Sequence, residues 1–293
     1  MINISYEYNG LTINNNVNEW LSGARSLIDW VYVVEKVEGL DSAGMREARE
    51  NKAAQHGQND WQSFLAERLI TFEGKIMGKS ASNLETARQA LLDAYIPDGV
   101  YRWLKFTPSG AVAKQAYCKI YSRKISEQYK DISYFRNFLI NLIAIDPHIY
   151  SQEELTKTVY IPSTEGGRVF PKTYPKTYGT VQVGGKIVCT NSGNHSVLPI
   201  IKMYGPLSSP KIRNNNDGQK EILVNLVVAD GDYLEIDFEE KTIMLNGTTS
   251  RYNYLDSDSE WWKILTGNNE IEFRDGGGNI NGYAQIIYRH GWI

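Results

Sequence analysis

Apolar and polar residues alternate most regularly near the C-terminus, in residues 221–288. Short apolar segments there are separated by Asp-Gly, Asn-Gly and Gly-Gly-Gly sequences, which are typical of strands that reverse direction every several residues. The same pattern extends back to residue 180. It predicts a β-sandwich or jelly-roll domain without a clear helix, with strands at residues 180–183, 186–191, 197–204, 221–228, 233–237, 242–245, 270–274 and 283–288.

The N-terminal half also begins with alternation. Apolar residues on either side of Asn9-Gly10 predict a hairpin, because both turn residues tolerate the positive φ of a type I′ turn. Further strands are predicted at residues 30–37, 68–76 and 101–106. The polar residues 43–63 show no clear period. They predict a long loop with helical turns around 45–53, and a long loop in a compact domain is a candidate contact with a neighbouring subunit.

One helix is predicted clearly. Ser82 and Glu85 have the spacing of a capping box, and Pro97 marks the end of the helix. Four apolar residues recur at helical spacing on one face, namely Leu84, Ala87, Leu91 and Ala94.

Residues 132–145 fit two structures. Their apolar positions match a helix, but branched residues are frequent and the segment ends at Asp146-Pro147, which favours a buried strand. We interpret the segment as a strand and keep the helix as the alternative.

The two halves are joined by a proline-rich stretch. Residues 158–178 contain Pro162, Pro171 and Pro175, and proline restricts the chain to extended shapes and removes hydrogen-bond donors. The predicted organisation is therefore a domain at residues 1–157, a linker at 158–178 and a β-sandwich domain at 179–293.

Composition excludes several partners. The chain has 293 residues and a formal net charge of -3, so its field does not favour nucleic acid or an anionic membrane. No window approaches the roughly 20 apolar residues of a spanning helix, and the N-terminus lacks a secretory signal. Synthesis and folding in a cytoplasm are expected. Cys118 and Cys189 fall in different predicted domains, so both thiols are expected to be free.

Candidate chemistry is sparse, and no catalytic motif, cofactor or metal site is predicted. Three groups were weighed against ordinary structural roles: Asp256, Asp258 and Glu260 as a calcium loop, Cys189 and His195 as zinc ligands, and Glu235 and Asp237 as a glycosidase pair. Each group lacks either further ligands or a cleft. We therefore interpret the acidic residues between 256 and 260 as a solvated turn, and Cys189 and His195 as structural residues. Glu235 and Asp237 are interpreted as part of a solvent-facing sheet surface. The protein is predicted not to be an enzyme.

Trp261 and Trp262 are adjacent, so in a strand they face opposite ways and one belongs to the core. An exposed tryptophan can stack on a sugar ring, which makes the other a candidate carbohydrate contact. Asn246-Gly247 is predicted to form a hairpin turn.

The order of these features resembles the distal tail proteins of siphophages, which form the hub ring at the tip of a long, non-contractile tail. In the N-terminal half the resemblance rests on three segments: Gly39-Leu40-Asp41-Ser42, EGKIMG before the capped helix, and FLINLIAIDP. In the C-terminal half it rests on Leu245-Asn246-Gly247 and on residues 262–273. The family positions matched there are Asn246, Gly247, Trp262, Leu265, Gly267 and Asn268.

The resemblance implies a mainly β protein with one clear α-helix: an α+β belt domain that forms the ring, followed by a galectin-like β-sandwich similar to carbohydrate-binding modules. It makes Trp262 the core tryptophan and leaves Trp261 as the candidate carbohydrate contact. It implies a homo-hexamer in the virion tail tip, with a tail tube protein, a tail-associated lysin or fibre and a receptor-binding protein as partners. The alternative function is a carbohydrate-binding adhesin acting through the C-terminal sandwich.

Overall fold

The computed structural model describes residues 4–22, 28–126, 135–162, 185–278 and 281–293. The chain separates into two compact units, residues 1–152 with 293, and residues 153–292. The described residues are mainly β-strand, as predicted, with two α-helices. None of the helices in these ranges is long and apolar enough to cross a membrane.

The first unit combines twelve strands with both α-helices. The helices are α1 (Val17–Leu21) and α2 (Ala81–Ala94). The strands are β1 (Tyr6–Tyr8), β2 (Leu11–Ile13), β3 (Trp30–Glu38), β4 (Met45–Arg46), β5 (Arg49–Asn51), β6 (Gln58–Asp60), β7 (Phe64–Leu65), β8 (Arg68–Gly78), β9 (Arg102–Phe106), β10 (Lys114–Ile125), β11 (Phe135–Ala144) and β12 (Ile149–Ser151).

The main sheet of this unit has the order β2-β1-β9-β10-β11-β8-β3, with β12 beside β10. The predicted hairpin is confirmed: β1 pairs with β2, and Asn9 and Gly10 have φ of 49° and 81°. β10 pairs with β9 through its first half and with β11 through its second. The described part of the ambiguous segment 132–145 is therefore a strand, and residues 132–134 lie outside the described residues.

The two ends of this sheet meet at Asn14. Its backbone N–H donates to the carbonyl of Tyr32 (3.0 Å), and its Oδ1 accepts from the N–H of Val34 (3.0 Å). Asn14 itself has φ of 60°, a left-handed conformation that asparagine tolerates. These bonds satisfy part of the free edge of β3. Among the described residues no strand pairs with this edge, which ends in the charged segment from Glu35 to Glu38.

The N-cap of helix α2 lies two residues earlier than predicted. Ser80, not Ser82, is the N-cap, and its hydroxyl accepts from the backbone N–H of Asn83 (3.2 Å). Glu85 does not reach back to a cap but pairs with Arg88. The predicted capping box is therefore wrong in position, because the hydroxyl of an earlier serine caps the first turn. The predicted apolar face is confirmed, since all four of its residues are buried: Leu84, Ala87, Leu91 and Ala94.

Residues 45–65 form a β-hairpin rather than a loop with helical turns. β4 pairs with β7, and β5 pairs with β6 nearer the tip. The helical turns predicted around 45–53 are wrong. Every described side chain from Met45 to Gln62 is exposed, so neither face of these strands has an apolar pattern that sequence reading could detect.

In its described residues, the second unit is built from β-strands and one short 3₁₀ turn (Tyr252–Tyr254). The strands are β13 (Leu155–Tyr160), β14 (Lys186–Asn191), β15 (Ile200–Tyr204), β16 (Leu207–Ser208), β17 (Lys211–Asn214), β18 (Glu221–Leu223), β19 (Val227–Val228), β20 (Tyr233–Asp237), β21 (Thr242–Leu245), β22 (Thr249–Ser250), β23 (Gly267–Arg274), β24 (Tyr283–Tyr288) and β25 (Gly291–Trp292).

These strands make a six-stranded sheet, β13-β24-β15-β20-β21-β22, and a four-stranded sheet, β14-β23-β17-β18. Alternate residues are buried along β20, β24 and β17, so each sheet has one apolar face. Such single buried faces are typical of two sheets packed face to face. β24, whose place the sequence leaves open, pairs with β13 and β15 in this unit.

The division of the chain differs slightly from the predicted domains. β13 pairs along its whole length with β24, so residues 155–160 belong to the second unit rather than to the first domain and the linker. The prolines that follow β13 in the sequence led us to predict a linker from residue 158 onward instead of a strand. Residues 163–178 of the predicted linker and the strand predicted at 180–183 lie outside the described residues.

Candidate functional site

Among the described residues, the predicted catalytic and metal-binding candidates do not come together in a catalytic or metal-binding cluster. No set of three or more His, Cys, Asp or Glu side chains among the described residues is placed to hold a metal ion. Asp256 instead organises a turn: its carboxylate accepts the N–H of Asp258 (3.1 Å) and the amide of Asn225 (2.9 Å). The hydrogen bond from Asp258 is the main reason that the pKa of Asp256 is lowered.

Glu235 and Asp237 lie on the same solvent-facing side of β20, as alternation requires, but they have separate roles. Glu235 pairs with Lys202 on the neighbouring strand (3.0 Å). Asp237 accepts the backbone N–H groups of Glu239 and Glu240, which closes the turn after β20. Neither carboxylate is held for acid–base chemistry, since each already serves a structural partner.

The two cysteines are free and buried. Burial raises the pKa of Cys118 and of Cys189 to about 12, so neither thiol is a reactive thiolate near neutral pH. His195 uses its backbone N–H to contact the carbonyl of Gly291 (3.1 Å). These positions fit core and strand roles rather than zinc binding.

The two tryptophans differ in burial. Trp262 is fully buried, with its ring centroid 4.6 Å from that of Phe238. Trp261 is half-buried and meets the same Phe238 edge-on, with ring centroids 5.1 Å apart at 84°. This contact occupies part of the ring surface of Trp261, so Trp261 offers a sugar less surface than a free tryptophan would.

The asparagine-glycine pair makes a turn. Asn246 and Gly247 have φ of 52° and 66° and connect β21 to β22. The Asn246 side chain also ties the turn to β20, since its Oδ1 accepts from the N–H of Tyr233 and its Nδ2 donates to Asp232. Asn246 and Gly247 are therefore placed where they fix strand geometry.

The other family positions surround a residue that sequence reasoning missed. Leu265 precedes β23, and Gly267 and Asn268 are its first two residues. None of these three is fully buried, but the next residue, Asn269, is. Its Oδ1 accepts the N–H of Leu265 (2.9 Å), and its Nδ2 donates to the carbonyls of Leu265 (2.8 Å) and Gly267 (3.2 Å). Alternation with Ile271 and Phe273 is the sequence signal that could have found it.

The hairpin β4–β7 carries three of the exposed apolar side chains of the first unit. Met45, Trp61 and Phe64 are 56%, 61% and 50% exposed, and the guanidinium of Arg46 lies 5.7 Å from the Phe64 ring centroid. At the base, the buried Arg68 donates to the carbonyls of Gly39 (2.8 Å) and Leu40 (3.1 Å). A base held by Arg68 and a solvent-facing arm with three exposed apolar side chains suit contact with another protein.

Residues 192–292 match the family described as "Siphovirus-type tail component, C-terminal domain". The matched residues lie within the second unit. The chain also has, over its whole length, the fold of SPP1 Dit, whose crystal structure is described as a paradigm of the hub adsorption apparatus in phages infecting Gram-positive bacteria. The TM-score is 0.66 at 12% identity, and 99% of each chain is covered.

Two structures of the phage P2 baseplate in its activated conformation, with calcium and with strontium, give TM-scores of 0.47 and 0.46 at 9% and 10% identity, again over 99% of each chain. No curated protein matches this chain. The predicted resemblance to siphophage distal tail proteins is confirmed, and with it the predicted location in the virion tail.

Proposed function

We propose that this tail component forms a hexameric hub ring at the tip of a long, non-contractile tail. The observation that carries the proposal is the family match of the C-terminal unit. The whole-chain fold shared with SPP1 Dit, a hub protein by its description, supports the same assignment. The ring would join the tail tube to a tail-associated lysin or fibre and to receptor-binding proteins, without enzymatic activity of its own.

A ring of identical subunits needs two different complementary surfaces on each chain, because its contacts are head-to-tail and close by rotation. The hairpin β4–β7 supplies one such surface. Its Trp61 and Phe64 are large, exposed aromatics of the kind that anchor protein interfaces. The sheet edges contribute less, since Asn14 already bonds to the backbone of β3.

The test compares the full chain with Trp61→Ser/Phe64→Ser. We expect six-membered rings of the wild-type protein in negative-stain microscopy and a hexamer in mass photometry, whereas the variant stays monomeric with unchanged thermal unfolding. Tyr252→Ser, which removes a similarly exposed aromatic from the second unit, is the control and should leave the rings intact.

Two results would count against the proposal in different ways. A wild-type chain that remains monomeric at all concentrations, even with its tail tube protein present, would refute the hub. Rings formed by the double variant would leave the hub standing and show that the hairpin is not one of its contacts.

A further inference from the structure

Four tyrosines from four adjacent strands form one row across the six-stranded sheet of the second unit. Strand register places Tyr160 opposite Tyr283, Tyr283 opposite Tyr204, and Tyr204 opposite Tyr233. Successive ring centroids are 5.8, 4.6 and 5.5 Å apart. The residues that follow or precede them on each strand are buried, so the row stands on the solvent-facing side of the sheet.

Among the described residues, the hydroxyl groups of this tyrosine row have no hydrogen-bond partner, whereas the buried Tyr32 donates its hydroxyl to the carbonyl of Ala87. Each hydroxyl can give one hydrogen bond and accept two. The row therefore combines apolar ring surface with a line of unused donors and acceptors.

A polar row runs directly beside the tyrosines. Register aligns Thr158, Gln285, Lys202 and Glu235 across the same four strands. Lys202 and Glu235 neutralise each other at 3.0 Å, and the Lys202 ammonium also lies 5.4 Å from the Tyr233 ring centroid. The two rows together thus offer hydrogen bonds without net charge, and Asp237, the next carboxylate along β20, accepts the N–H groups of the following turn.

This combination discriminates between classes of ligand. The cores of protein interfaces are apolar and depleted of charge, and a protein covering this face would have to desolvate the Lys202–Glu235 pair. A polyhydroxylated ligand would replace the water around that pair with its own hydroxyl groups. Because the pair is neutral overall, an anionic ligand gains nothing from it.

We propose that the outer face of the six-stranded sheet, formed by the tyrosine row and the neighbouring polar row, binds an uncharged saccharide. Sugar C–H groups pack against the tyrosine ring edges and the exposed ring of Tyr160, which is 63% exposed at the end of the row. Sugar hydroxyls bond to the phenol groups, to Gln285 and to the Lys202–Glu235 pair. The site is distinct from Trp261 and does not depend on ring formation.

The full chain is tested on an array of neutral oligosaccharides of glucose, galactose, rhamnose and N-acetylglucosamine, with anionic glycans on the same array. Titration calorimetry then compares wild type with Tyr204→Phe/Tyr283→Phe. This variant retains both rings and removes both hydroxyls, so the sheet keeps its cross-strand packing. We expect binding to neutral oligosaccharides and an affinity at least about fivefold lower in the variant, with an unchanged melting temperature.

Trp261→Ala is the matched control and should bind as the wild type does. The proposal is overturned if no neutral oligosaccharide binds, if only anionic glycans bind, or if the affinity falls in Trp261→Ala but not in the tyrosine variant. A protein partner held by this face, with no sugar bound, would overturn it as well.

Discussion

The hairpin of the first unit and the turn before β23 in the second each contain a conspicuous tryptophan, and the two are used in opposite ways. Trp61 is 61% exposed on an arm whose described side chains all face solvent. Trp262 is fully buried against Phe238. The family match covers the region of Trp262 and not that of Trp61. The residues that identify this protein are therefore those that specify a core, whereas the surface proposed to assemble the ring carries no core pattern.

The largest expected effect tests this contrast directly. Trp262→Ala should lower the free energy of unfolding by about 3–5 kcal/mol, because it empties a fully enclosed site in the second unit. Trp61→Ala should change it by no more than about 0.5 kcal/mol when the protein is dilute enough to be monomeric, because Trp61 is then exposed. Urea denaturation followed by far-UV circular dichroism measures both. Similar losses for the two variants would mean that the hairpin is packed in solution and that the contrast fails.

A second comparison lies within the turn itself. Asn269→Ala should cost about 2 kcal/mol, since its amide bonds to the backbone of Leu265 and Gly267 from a fully buried position. Its neighbour Asn268 is exposed and accepts only the Thr190 hydroxyl. Asn268→Ala, the control, should cost about 0.5 kcal/mol or less. The reverse order in the same denaturation assay would show that the exposed family position, not the buried amide, holds the turn.

Strands can be predicted from the sequence wherever one of their faces is buried. β20 and β24 were predicted because burial imposes a period of two on their residues. The hairpin at 45–65 was misread because both of its faces are exposed, so nothing alternates. β10 was missed for a related reason: the residues of its second half, from Tyr121 onward, are largely exposed.

The sites follow a different rule. Trp262 could be assigned to the core from its family position, but Asn269 is a polar residue whose burial is signalled only by its alternation with Ile271 and Phe273. The tyrosine row could not have been predicted at all. Its members are 29 to 50 residues apart in sequence order, at positions 160, 204, 233 and 283, and only strand register places them side by side.

The smallest expected effect concerns helix α2 of the first unit, which has two serines near its start. One of them, Ser80, caps the helix, and the other, Ser82, does not. The Ser80 hydroxyl accepts the N–H of Asn83 at the start of α2, so Ser80→Ala should lower the free energy of unfolding by about 1 kcal/mol. Ser82 lies inside the first turn, where alanine is the better helix former, so Ser82→Ala should be neutral or slightly stabilising. Urea denaturation of the two single variants and the double variant decides between them. A larger cost for Ser82→Ala would restore the capping box with Glu85, and equal costs would mean that neither serine defines the start of the helix.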